Sequence, residues 1–107
     1  MTEAVVRIDQ DGDAAVRIAV SGEIDMDNSK QVEHQILAAI SNQLTTVTLD
    51  LSGMDYIDSA GIRVLFILGT RLETLQIAVR LLVPTTSPIR RTIDLSGVAG
   101  IIPVSSN

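Results

Sequence analysis

The chain has 107 residues, 46% hydrophobic and 20% charged, with a formal net charge of −5 and no cysteine. That size suits one domain whose core forms without disulfides or thiol-bound metal, and the missing thiols accord with a reducing compartment. Thirteen acidic residues outweigh eight basic ones, only 2% are aromatic and no apolar stretch approaches a membrane span, so nucleic-acid and membrane binding are disfavoured.

Ala4, Val6 and Ile8 form one face of a first strand, and Ala14, Val16, Ile18 and Val20 one face of a second. Asp11-Gly12 between them predicts a two-residue hairpin turn, so the chain opens antiparallel. Asp27 or Asn28 is placed to cap a helix with Val32, Ile36, Leu37 and Ile40 on one side and Glu33, His34 and Gln35 toward water. A third strand is expected over residues 46–51, where Val47, Leu49 and Leu51 alternate with Thr48 and Asp50 before Ser52-Gly53 breaks the pattern. From Ile62 the period turns helical, with Leu65, Phe66, Gly69 and Leu72 following at three- and four-residue steps. Ile77, Val79, Leu81 and Val83 mark a fourth strand that Pro84 ends. Ser87-Pro88 reads as N-cap and first residue of a third helix, Gly97 as its stop, and Ile101, Ile102 and Val104 as a last short strand. Strands that alternate, instead of running continuously apolar, predict an α/β fold: a mixed sheet of four to five strands with helices mainly on one face.

The stretch with most chemical content runs from Leu49 to Ile62. Asp58 is the natural N-cap of the second helix, and Ser59 sits in the first turn, where backbone N–H groups lack partners and the dipole favours negative charge. A phosphate on Ser59 is tolerated there, and the small Ala60 and Gly61 let a second protein bring a bound nucleotide close. The plainer reading of Asp58 and Ser59 is a helix cap alone.

Asp58-Ser59-Ala60-Gly61, preceded by Leu49-Asp50-Leu51 and followed by Ile62-Arg63-Val64-Leu65, resembles the phosphoacceptor loop of bacterial STAS domains, in particular the single-domain anti-sigma factor antagonists. Gly22-Glu23-Ile24-Asp25 resembles the Gly-Glu-hydrophobic-Asp segment that follows their second strand. The likeness runs from about Val16 to Val104, within one expected STAS domain over residues 1–107. It implies a partner-switching protein that is not an enzyme; with no signal peptide and no membrane-length apolar stretch a cytoplasmic location is expected, as a monomer or weak dimer. In such proteins the unphosphorylated form binds an anti-sigma factor that is also a serine kinase, releasing a sigma factor, and phosphorylation ends the contact. On this resemblance Ser59 is the acceptor, Asp25 lies near it, and Asp25, Asp58, Ser59, Ala60, Gly61 and Arg63 form the partner-binding surface. No cofactor is expected in the chain itself. ATP and magnesium belong to the partner kinase, since nothing here matches a Gly-rich nucleotide loop ending in Lys-Ser or Lys-Thr, and a serine phosphatase is a further partner.

The chain departs from the family pattern at two positions. Arg63 stands where many antagonists have glycine, one helical turn after the acceptor, as a solvated side chain or as a partner for the phosphate or for an acid on the bound protein. Ala60 replaces a frequent hydroxyl residue, leaving Ser59 as the motif's sole acceptor. Some small STAS proteins serve instead as constitutive scaffold subunits of transport or signalling complexes, with no phosphorylation, and that is the alternative function. Hydrolysis is disfavoured because the single histidine, His34, belongs to a polar helix face and no Gly-x-Ser-x-Gly elbow surrounds Ser59. Asp9, Asp11 and Asp13 fail as a calcium loop, with Gly12 misplaced and Val20 where a glutamate is required, and read as a hairpin tip.

Overall fold

Val16, Ile18 and Val20 are buried while Arg17, Ala19 and Ser21 between them stay partly accessible, which sets one face of β2 (Ala15–Ile24) against the core. A computed structural model describes residues 2–106. Around β2 the sheet is completed by β1 (Ala4–Gln10), β3 (Thr46–Ile57), β4 (Ala78–Leu82) and β5 (Val104–Ser105). Their spatial order is β1-β2-β3-β4-β5, with β1 antiparallel to β2 and every other neighbour parallel. Three α-helices, α1 (Ser29–Ala38), α2 (Ser59–Thr74) and α3 (Arg90–Ser96), and a 3-10 turn at Val98–Gly100 make the connections. One core joins Val16, Ile18, Val47, Leu49 and Leu81 of the sheet, and Val83 just past β4, to Val32 and Ile36 of α1, Val64, Leu65, Leu68 and Leu72 of α2, and Ile93 of α3. This is the expected mixed α/β sheet. Its other face is polar, where Arg17 Nη2 donates to Asp50 Oδ2 at 2.6 Å.

Several boundaries differ from the sequence reading. Ser52-Gly53 does not end β3, which continues to Ile57. The β2–β3 ladder slips there: Ala19 pairs with Asp50 but Ser21 with Gly53, and Gly22 pairs with Met54 but Glu23 with Tyr56. Each irregularity shifts the alternation, so the buried residues fall at Leu51, Met54 and Ile57 and the period of two is lost while pairing persists. β2 likewise runs on through Gly22-Glu23 to Ile24. The first connection spans residues 11–14, closed by Asp11 N–H to the Ala15 carbonyl at 2.9 Å, not a two-residue turn. α3 begins at Arg90, because Ser87 Oγ accepts from Ile89 N at 3.2 Å and Ser87-Pro88 is used in the preceding turn. Gly97 does stop α3, at φ 84°. The buried stripe of α2 is rotated slightly from expectation: Val64 and Leu68 are inside, while Ile62 and Phe66 are half-buried. Ile102 is buried outside any strand, and β5 is only Val104–Ser105.

Leu68 is 0% exposed and sits mid-way along the stripe that α2 lays on the sheet. Leu68→Ala removes its contacts and leaves a cavity, so unfolding free energy falls by about 2–5 kcal/mol. A lower urea midpoint at an unchanged slope is the expected measurement.

Candidate functional site

β2 and β3 end side by side, with Ile24 opposite Ile57, and Asp58 N–H donates to the Ile24 carbonyl at 3.2 Å. The loops leaving the two strands therefore meet at the carboxyl end of the parallel sheet, where open α/β sheets place their sites. Asp25 and Ser59, thirty-four positions apart in the sequence, are brought to one end of the molecule by this pairing.

The loop after β2 is built around Asn28, which is 7% exposed. Its Oδ1 accepts from Asp25 N–H at 3.0 Å and its Nδ2 donates to the Glu23 carbonyl at 2.9 Å. Asn28 does occupy the N-cap position of α1, but its side chain makes no cap bond, being committed to the loop. Asp25 in turn accepts from Asp27 N–H at 2.8 Å and from the Thr2 hydroxyl. The Thr2 hydrogen bond above all, aided by the backbone N–H groups of Asp27 and Asn28 and opposed by partial burial, holds the Asp25 carboxyl below its ordinary value of 3.8. The amino-terminal strand can come this close because of Gly22, at φ 94°, where a methyl would lie 2.5 Å from the Glu3 carbonyl oxygen.

Asp58 caps α2 as expected, its Oδ1 accepting from Ala60 N at 2.9 Å and Gly61 N at 3.2 Å. Ser59 is exposed at the first position of the helix, and its hydroxyl has no hydrogen-bond partner among the described residues. Gly61 is buried: a methyl there would stand 2.4 Å from Ile57 Cγ1 and 3.1 Å from Ile24 Cγ2, so this glycine lets α2 start directly on the ends of β2 and β3. Arg63 is exposed and, with Lys30, Glu33, His34 and Ala60, lines a groove of about 400 Å³ between α1 and α2.

Sequence reasoning passed over Thr2, Met26 and Tyr56 here and read Asn28 only as a cap for α1. Thr2 and Asn28 position Asp25, and Met26 and Tyr56 expose apolar surface at 79% and 52% beside the two loops. The pair Asp25-x-x-Asn28 carried a detectable signal, since Asx side chains commonly bond nearby backbone; Thr2 carried none, because its contact depends on how β1 is placed.

A family model described as STAS domain matches residues 5–107. The chain belongs to the STAS domain family. BtrV of Bordetella bronchiseptica, named as an anti-sigma factor antagonist, is 29% identical over 96 residues, which is 89% of this chain and 81% of BtrV. The crystal structure of an anti-sigma factor antagonist from Mycobacterium paratuberculosis superposes with a TM-score of 0.84 at 24% identity, covering 98% of this chain and 87% of that one. The anti-sigma factor antagonist SpoIIAA in its unphosphorylated form gives 0.75 at 21% identity, covering 96% and 90%. At these identities the solved structures establish the STAS fold. Among the described residues of this STAS chain, no helix is long and apolar enough to cross a membrane, and no group of three His, Cys, Asp or Glu side chains is gathered as a metal site.

Removing the cap with Asp58→Ala frees two N–H groups and costs about 0.5–2 kcal/mol of stability, read as a lower thermal midpoint with unchanged circular dichroism. Thr2→Val removes the main stabiliser of the Asp25 carboxylate. Because the folded value is depressed, this contribution to stability is full above the ordinary carboxylate value and is lost as pH falls through the lowered one. In the variant the Asp25 carboxyl resonance, followed by NMR, titrates at higher pH than in the parent.

Proposed function

We propose that this STAS protein is an anti-sigma factor antagonist, a binding protein and not an enzyme, switched by phosphorylation of Ser59. The unphosphorylated form binds an anti-sigma factor that is also a serine kinase, and the bound sigma factor is released. The observation that carries this reading is the exposed hydroxyl of Ser59 at the start of α2, without a hydrogen-bond partner among the described residues, beside the tethered Asp25 loop. Asp25, Asp58, Ala60, Gly61 and Arg63 complete the contact region, Asp58 and Gly61 by shaping the helix start and the others by offering surface. The kinase supplies ATP, magnesium and the base that takes the serine proton, and a serine phosphatase resets the switch.

The local geometry suits a switch that leaves the fold intact. Asp58 already occupies the N–H groups of Ala60 and Gly61, so a phosphate on Ser59 is not absorbed into the helix cap. It stays on the surface, adding roughly −1.5 to −2 charge where the partner lands. Unit like charges about 7 Å apart at an effective dielectric of ~40 repel by about 1 kcal/mol, and a dianion facing one carboxylate by about twice that. A hundredfold loss of affinity requires about 2.7 kcal/mol. Repulsion from an acid on the partner, together with desolvation of the phosphate, reaches that figure. Arg63, one turn further along α2, is placed to bond the phosphate or an acid on the partner.

The test is a pull-down from the native cell extract with Ser59→Ala and Ser59→Asp as baits. The alanine form retains a serine kinase of the anti-sigma type, and the aspartate form, with one negative charge where phosphoserine carries nearly two, binds it at least about fivefold more weakly. Retention of the same transport or signalling complex by both baits, with no kinase, would replace the switch by a constitutive scaffold role.

A further inference from the structure

The two edges of the sheet are unequal. β1 presents seven residues with no proline or bulge, whereas β5 at the opposite edge has two. Long edges are normally blunted by proline, lysine or a bulge, because their free N–H and C=O groups template further pairing. β1 is marked instead by one acid and one base: Arg7 Nε donates to Asp9 Oδ2 at 3.2 Å, on the face away from the helices. Their side chains are 73% and 51% exposed, so this pair does little for the isolated strand.

The phase of the backbone decides what the edge offers. The Glu3 carbonyl accepts from Glu23 N, and Asp11 N donates to the Ala15 carbonyl, each at 2.9 Å, at the two ends of an unbroken antiparallel register. Residues 3, 5, 7, 9 and 11 therefore turn their backbone groups toward β2, and Ala4, Val6, Ile8 and Gln10 turn theirs outward. A second copy pairing antiparallel about a twofold axis meets this edge in few registers. With the axis at Arg7, the two Arg7 side chains oppose each other; at Val6, Asp9 faces Glu3. With the axis at Ile8, Arg7 of each copy faces Asp9 of the other.

We infer that β1 is a self-association edge, through which two copies join antiparallel about Ile8 into one continuous sheet. In that register Val6, Ile8 and Gln10 exchange about six backbone hydrogen bonds, and Arg7 and Asp9 occupy the closer, non-hydrogen-bonded positions. The four charges then alternate in sign around a closed ring, along each strand and across the axis. Ile8, 47% exposed in the single chain, meets its counterpart on the helix side. The overlap covers Val6–Gln10 and leaves Thr2, Asp25 and Ser59 free for another protein. A single strand edge is a small interface, so the association is weak and reversible.

Sedimentation from about 10 μM to about 1 mM, at about 0.15 M salt to screen the repulsion between two acidic chains, tests this. The parent protein shows a molar mass rising toward that of a dimer. Arg7→Asp stays monomeric throughout, whereas its equimolar mixture with Asp9→Arg associates more strongly than either variant alone, because an all-acidic edge then faces an all-basic one. Ile8→Pro removes an outward N–H without touching a bond to β2, and abolishes the dimer while circular dichroism reports an intact fold. A parent protein that is monomeric at every concentration, a mixture that associates no better than either variant, or a dimer that survives Ile8→Pro would overturn the inference.

Discussion

Parallel pairing of β2 with β3 extends from Ala15 opposite Thr46 to Ile24 opposite Ile57, and the Asp58 N–H bond to the Ile24 carbonyl carries it one step past the strands. The positions of Asp25 and Ser59 both follow from that ladder, because each lies within two residues of its last rung. Gly61 belongs to the same constraint, since only a residue without Cβ lets α2 begin against both strand ends at once. Slippage of either strand would carry Asp25 away from Ser59 even with every local hydrogen bond kept. The two irregularities in the ladder bring the strands to this common end although β3 spends more residues than β2 to reach it.

Three aspartates show how one side chain takes different tasks according to its donors. Asp58 gives its carboxylate to the first amides of α2 and so leaves Ser59 unencumbered. Asp25 is held by Thr2 and by the backbone of its own loop, one residue past the end of β2. Asp50 lies on the opposite face of the sheet. There burial pushes its pKa up, and the Ser52 hydroxyl and N–H with Arg17 more than compensate, leaving it lowered. The first two concern the serine end of the molecule, and the third contributes only to the polar face.

Much of this was legible from residue pattern because local period and tertiary burial agree along most of the chain. β1, β2 and β4 follow their alternating apolar residues, Gly97 ends α3, and Asp58 caps α2 where a short polar residue precedes a helical period. The carboxyl half of β3 was hidden because Leu51, Met54 and Ile57 recur every third residue once the ladder slips. The task of Asn28 was half visible: its position fits a cap, but two backbone groups, the Asp25 N–H and the Glu23 carbonyl, compete for the same amide and win. Thr2 could not be assigned at all, since only the path of β1 past Gly22 brings it to Asp25.

Tyr56 faces solvent on the last turn of pleat before the helix, paired with Glu23 and three residues ahead of Ser59. The chain contains one tyrosine and no tryptophan. Excited at wavelengths too long for its one phenylalanine, its intrinsic ultraviolet fluorescence therefore arises from a single phenol next to the two loops. That emission is a label already in place: quenching by an approaching carboxylate or phosphate, or energy transfer to a tryptophan of a bound protein, would report events at this end of the molecule without any attached dye.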